Sequence, residues 1–137
     1  MSTVNKAGIQ RYIEEVWNKG NLAVAEEVFA PTFVDHDPRY PGIVSLDHLK
    51  QFFTAFRAAF PDLRTNVEDL LAEGDKVLLR YSWTGTHKGE FLGIAPTGKR
   101  VMVMGLALYR FADGKVVEAW ANADDLGLLR QLGVVSG

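Results

Sequence analysis

Cysteine is absent from the 137 residues, and that one absence removes a disulfide framework, thiolate catalysis and a thiolate metal site. A basic excess is also missing. Lys and Arg number 15 against 17 Asp and Glu, for a net charge of -2, so no stripe exists to collect phosphates and a nucleic-acid partner is not expected. No apolar run approaches the roughly eighteen residues of a membrane span. The opening Met1-Ser2-Thr3-Val4-Asn5 lacks a basic stretch followed by an apolar one, so no membrane association and a cytoplasmic location are expected. The Gly93 to Thr97-Gly98-Lys99 segment lacks the ordered glycines and the Lys-Ser/Thr ending of a phosphate loop. With no repeat or linker either, the chain reads as a single domain over 1–137. Its 47% hydrophobic and 11% aromatic residues suffice for an ordinary core.

What is present is organised around the last third. Val101–Phe111 and the run from Lys115 to Ala123 flank Asp113-Gly114, a strong hairpin signal because the turn that matches sheet twist needs positive φ. Alternation places residues 101, 103, 105, 107 and 109 on one face of the first strand, and 117, 119, 121 and 123 on one face of the second. Upstream, Ile9, Tyr12, Ile13, Val16 and Trp17 form one helical stripe closed by Gly20. Asn21 caps a short helix burying Leu22, Ala25, Val28 and Phe29 and stopping near Pro31. Phe33 to Pro38 reads as extended or turn-like. Ser45 caps a third helix with Leu49, Phe52, Phe53, Phe56 and Phe60 on one face, ended by Pro61. Leu63–Leu71 and Lys76–Thr84 read as strands, Gly85–Lys99 as a loop, and a last short helix is capped by Asp124 or Asp125 and closed by Gly133. Helices first and strands after predict an α+β fold, with helices covering one side of a curved sheet.

A pocket between such a sheet and its helices is the place to look for function. His36, between Asp35 and Asp37, fits a general base oriented by a carboxylate, and it fits equally a loop histidine among solvated aspartates. His87, in Gly85-Thr86-His87-Lys88-Gly89, sits where glycines let the backbone approach a ligand or simply turn. Tyr12, Trp17, Tyr81, Trp83 and Tyr109 can wall a planar ligand or serve as core. Asp35, His36 and Asp37 lack a converging further donor, so no metal is expected.

Four blocks carry a resemblance: Ala59-Phe60-Pro61-Asp62-Leu63; Gly85 to Gly93 with Pro96-Thr97-Gly98; Tyr109 to Trp120; and Leu128 to Gly133. Together they resemble the SnoaL-like polyketide cyclase (ester cyclase) family of the nuclear transport factor 2-like superfamily. The resemblance implies a cone-like curved mixed or antiparallel sheet with helices on its concave side, and usually a homodimer packed through the outer sheet face. Leu106, Leu108, Glu118 and Trp120 would then lie in that interface. It also implies an apolar or aromatic small-molecule ligand and an intramolecular aldol cyclisation, or a related isomerase or lyase reaction, without metal or cofactor.

The same resemblance marks a departure. The family's acid/base aspartate matches Ala121, its active-site histidine matches Ala107, and the position between, often histidine in relatives, matches Ala119. Alanine has no proton to give or take. Three candidates remain for catalysis, His36 and His87 at the expected pocket mouth and Asp124 at the start of the last helix, where N-capping alone also explains the aspartate. Two readings stay open: an enzyme using one of these groups, or a non-catalytic binding or accessory protein that keeps the pocket of Tyr12, Trp83, Ala107, Tyr109, Ala119 and Ala121. The three alanines further predict a wide, dry cavity.

Overall fold

The structure is a computed structural model and describes residues 2–136. Helix α1 (Ser2–Tyr12) passes directly into a π-helical stretch, Ile13–Asn18. A 3-10 turn (Leu22–Val24) and the short α2 (Ala25–Val28) follow. Then come β1 (Phe29–Asp35), α3 (Leu46–Ala59), β2 (Arg64–Glu73), β3 (Lys76–Thr86), β4 (Arg100–Ala112), β5 (Lys115–Ala123) and α4 (Asp125–Leu132). The sheet order is β1-β5-β4-β3-β2. Its strands pair antiparallel except β1, which runs parallel to β5 at the edge. The chain thus has the expected α+β architecture. Among the described residues no helix is long and apolar enough to cross a membrane.

The central hairpin forms as its turn residues dictate. Asp113 and Gly114 both take positive φ, +52° and +81°, the geometry of a turn that follows the sheet twist. Val101, Val103, Ala107 and Tyr109 are buried on one face of β4 while Met102, Met104 and Leu106 are exposed on the other. On β5 the register shifts by one residue, so that Val116 opposes Phe111 and Glu118 opposes Arg110. Val116 therefore takes the inward position that strict alternation assigns to Val117, because a bulge resets the period. Ala119 and Ala121 still oppose Tyr109 and Ala107.

The other helix signals act locally. Ser45 Oγ accepts from the His48 N–H, and Asp124 accepts from Gly127 N, each satisfying a first-turn donor. Gly133 closes α4 in the left-handed region. Ile9, Tyr12, Ile13, Val16 and Trp17 all face inward with Leu49, Phe53 and Phe56 of α3. One segment departs from expectation: Phe29, expected at the end of the second helix, begins a strand, and β1 runs on through Phe33–Asp35, where the extended alternative holds. An edge strand tolerates Pro31, and the pairing between β1 and β5 is irregular between Phe29 and Val34. Partners more than eighty residues apart in sequence supply the ladder, which local patterning cannot reveal.

Two contacts fix α4 at the open end of the sheet. Gln131 accepts from Met102 N and donates to Met102 O, both at 2.8 Å, and Asp124 N donates to Met104 O. The pairing of β4 with β5 ends at Gly105, so the Gln131 amide takes the place of the missing strand neighbour.

Candidate functional site

The concave side of the sheet and the inner faces of the π stretch and α3 enclose a cavity of about 70 Å³. Aromatic rings make most of its wall. Tyr12 lies edge-on to Phe29 at 4.7 Å and to Tyr109 at 6.1 Å between ring centroids, and Trp17 lies 5.1 Å from Phe53 and 5.5 Å from Tyr81. Tyr12, Trp83, Ala107, Tyr109, Ala119 and Ala121 all line the cavity. At about 70 Å³ the cavity is small, and aromatic rings fill much of the concave side around it. Gly105 contributes to that filling: a Cβ there would stand 2.5 Å from the Tyr81 phenol, so only glycine lets Tyr81 cross the sheet face.

The charged part of the wall is confined to one quadrant, formed by the end of β1, the turn after it and the first residue of α4. Asp37 is 3% exposed and holds Arg39 through Nε and Nη2 at 2.9 and 2.5 Å. Arg39 Nη1 reaches Asp125 Oδ1 at 2.9 Å, and the guanidinium lies over the Tyr40 ring. Burial works against the charged guanidinium, but the hydrogen bonds and charge of Asp37 outweigh it and raise the pKa of Arg39. One cation is therefore clamped between two carboxylates, a paired and immobile charge.

Asp35 differs. It lines the cavity without a cation of its own, and its hydrogen bond comes from Asp37 N at 2.9 Å. Burial among apolar groups pushes its carboxyl up to about 6, the Asp37 N–H pulling down and the Asp37 charge pushing up by less. That value lies where a carboxylate both accepts and returns protons near neutral pH. Burial likewise raises the phenols of Tyr12 and Tyr109, and takes Tyr40 to about 12, so these hydroxyls stay protonated.

The candidates from the sequence are dispersed. His36 does not stand at the pocket mouth. At the end of β1, alternation turns Asp35 inward and the next residue, His36, outward, where its Nε2 is 2.8 Å from Glu118 Oε2 and its ring stacks on Trp120. Hydrogen bonds from His36 and then Arg110 lower the pKa of Glu118. His87 is fully buried but outside the cavity wall, stacked on Phe60. Its Nδ1 accepts from Thr97 N at 3.2 Å, which holds the loop 88–96 across its two ends and places the ring proton on Nε2. Asp124 caps α4 and does not line the cavity, and its neighbour Asp125 does. Sequence reasoning treated Asp35 only as an orienter of His36 and did not single out Arg39. The signal was the Asp35-His36 alternation, readable only once β1 is known to be a strand. Among the described residues no group of three or more His, Cys, Asp or Glu converges as metal ligands.

A family model described as SnoaL-like polyketide cyclase matches residues 7–132. The chain belongs to this family. Among solved structures it is similar to AclR, a proposed hydroxylase from Streptomyces galilaeus, at 34% identity and a TM-score of 0.88, covering 100% of this chain and 89% of AclR. It is similar to IdmH, a proposed polyketide cyclase from Streptomyces antibioticus, at 32% identity and a TM-score of 0.81, over 95% and 99% of the two chains. A proposed SnoaL-like polyketide cyclase from Jannaschia sp. CCS1 is 28% identical with a TM-score of 0.89, over 98% and 94%. No curated protein matches the chain. Cyclase and hydroxylase descriptions thus both occur among family neighbours of equal structural closeness, so the reaction has to be argued from this chain's own cavity.

Proposed function

We propose that this chain moves a proton on a small, apolar, carbonyl-bearing molecule without a cofactor, as a cyclase, isomerase or lyase does, with Asp35 as the base. One observation carries the reading: a carboxyl in the wall of an aromatic cavity without an ion pair of its own, its pKa pushed up to about 6 by burial against the weaker opposing pull of the Asp37 N–H and the nearby Arg39. Ionised Asp35 takes a proton from the carbon beside the carbonyl, and the electron pair of that C–H bond passes to the carbonyl oxygen. Tyr12 and Tyr109 line the same cavity as protonated donors for the charge that develops. The proton held by Asp35 then returns to another carbon in an isomerisation. In a cyclisation the enolate carbon attacks a second carbonyl of the same molecule and the new alkoxide takes the proton. On this reading Asp35 does the work that the resemblance assigned to position 121, and His36, His87 and Asp124 have structural roles.

The test needs no native substrate. Wash-out of α-deuterium from cyclohexanone, followed by NMR, should rise with pH to a plateau above about 6 and be lost in Asp35→Asn. The three alanines favour a second reading, a binding or accessory protein. It prevails if cyclohexanone binds in the cavity and no exchange above the buffer rate is seen.

The proposal includes a homodimer through the outer sheet face. Met102, Met104 and Leu106 are 54%, 43% and 46% exposed there, an apolar strip that a second copy of the same strands would cover.

A further inference from the structure

We propose that Phe91 determines which ligands the cavity admits: its ring plugs the space that a ligand's ring would use, and a ligand of one six-membered ring enters by displacing it. Only the choice of a ketone as probe rests on the proton-transfer reading. The closed cavity measures about 70 Å³, whereas an apolar cavity that takes benzene measures about 150 Å³. Part of the wall therefore has to give way before a cyclic ligand fits. Packed walls move as discrete elements and do not stretch continuously, so the part that moves is the one with the weakest ties.

Strand ladders and helical bonds hold the wall residues of the sheet and the helices. The loop after β1 is fastened too, by the pairs of Arg39 with Asp37 and Asp125 and by Asp35 N donating to Ile43 O at 3.0 Å. Phe91 is carried differently. It lies in the connection between β3 and β4, lines the cavity and is 8% exposed, its ring 5.7 Å from Phe56 and 5.3 Å from Phe60. The ends of this connection are pinned: Lys88 N and Gly89 N donate to Ala59 O, and Gly98 N donates to His87 O. Between those ends Phe91 and Ile94 bond to each other, N–H to carbonyl oxygen at 3.1 and 2.9 Å, across a turn in which Leu92 and Gly93 take φ of +51° and +77°. Among the described residues no hydrogen bond or ion pair joins 90–96 to the rest of the chain. Leu92 at the tip is exposed, in a conformation that residues other than glycine seldom adopt. The segment is thus held down by the side chains of Phe91 and Ile94, and a segment with so few ties opens at low cost. A ligand in the place of the Phe91 ring exchanges one apolar contact with Phe56 and Phe60 for another.

The experiment measures binding of cyclohexanone and of the two-ring ketone 2-tetralone to the parent, Phe91→Leu and Phe91→Ala, through the methyl NMR signals of Ala107, Ala119 and Ala121, which line the cavity. Loss of an aromatic wall residue ordinarily weakens the binding of a ring. Here the expected sign is the opposite. With the open form populated at about one part in ten or less, Phe91→Ala should tighten cyclohexanone about tenfold or more, because the apparent affinity no longer carries the cost of opening. Phe91→Leu should tighten it by less, and it keeps the test decisive if the alanine variant fails to fold. In Phe91→Ala 2-tetralone should gain more than cyclohexanone, its second ring taking the space of the deleted one. Weaker or unchanged cyclohexanone binding in the folded variants overturns the proposal, as does equal gain for both ketones or no binding to any of the three proteins. Binding to the variants alone supports it. Repeating the titrations in Asp35→Asn separates this inference from the base assignment, since the Phe91 effect should persist there while deuterium wash-out is lost. Wash-out missing from the parent, with the Phe91 effect intact, would remove the base assignment alone.

Discussion

The main-chain N–H of Asp37 donates to Asp35 Oδ1 at 2.9 Å, yet of these two carboxylates it is Asp37 that holds the Arg39 guanidinium. Two carboxylates two residues apart on one strand end therefore have opposite environments. Asp37 is paired with a half-buried guanidinium, and Asp35 is left to titrate against its burial. Separation of this kind is how one site provides both a fixed charge and a movable proton.

The first prediction follows from the direction of the Asp35 shift. Its pKa rises from 3.8 to about 6 on folding, so between those values the native state holds a proton that the unfolded chain has lost. The contribution of Asp35 to stability therefore falls as pH rises through that interval and stays low above it. Asp35→Asn removes the penalty. Urea denaturation should show the variant more stable than the parent by on the order of 1–2 kcal/mol at pH 7.5, after allowance for solvent at the cavity mouth, with the difference shrinking toward pH 4. Equal stability gains at both pH values would contradict the assignment.

Arg39 should matter more to stability than an exposed arginine. Arg39→Met leaves Asp37 buried without its cation, which costs about 3 kcal/mol. Adding Asp37→Asn to that variant should recover most of the loss. A double-mutant cycle with no coupling between the two positions would show that the pair is dispensable.

On the outer face, light scattering at micromolar concentration should give twice the mass of one chain. Leu106→Lys, at a position 46% exposed in the single chain, places charge in the apolar strip and should return the protein to monomer without changing its far-UV spectrum. A monomeric parent would remove the dimer from the proposal.

Gly89→Ala tests the packing that carries the loop after β3. A Cβ at Gly89 would stand 2.6 Å from the Ala58 carbonyl oxygen, a backbone atom that cannot swing aside, and the Gly89 N–H already donates to Ala59 O. The loss should be about 2 kcal/mol or more, seen as a lowered thermal midpoint. Gly98→Ala, with open space around its Cβ, should lose less, through its positive φ alone.

The sequence by itself determined the elements whose signals are local. The Asp113-Gly114 turn, the Ser45 and Asp124 caps, the Gly133 stop and the helical stripe from Ile9 to Trp17 each depend on groups within a few residues of one another, where steric and hydrogen-bonding rules act directly. The inward alanines at 107, 119 and 121 were legible for the same reason, since the hairpin turn sets their register. The tertiary structure decided what depends on distant partners. Phe29–Asp35 is a strand because β5 offers it a parallel ladder, and only that ladder turns Asp35 into the cavity and His36 toward Glu118 and Trp120. The bulge at Val116–Glu118 shifts one residue inward for the sake of pairing with β4. Asp35, Arg39 and Asp125 meet because α4 is tied to the unpaired end of β4 by Gln131, a contact spanning 29 residues. Burial sets the proton affinity of Asp35, and burial is a property of the assembled walls, not of the residues beside it in the chain.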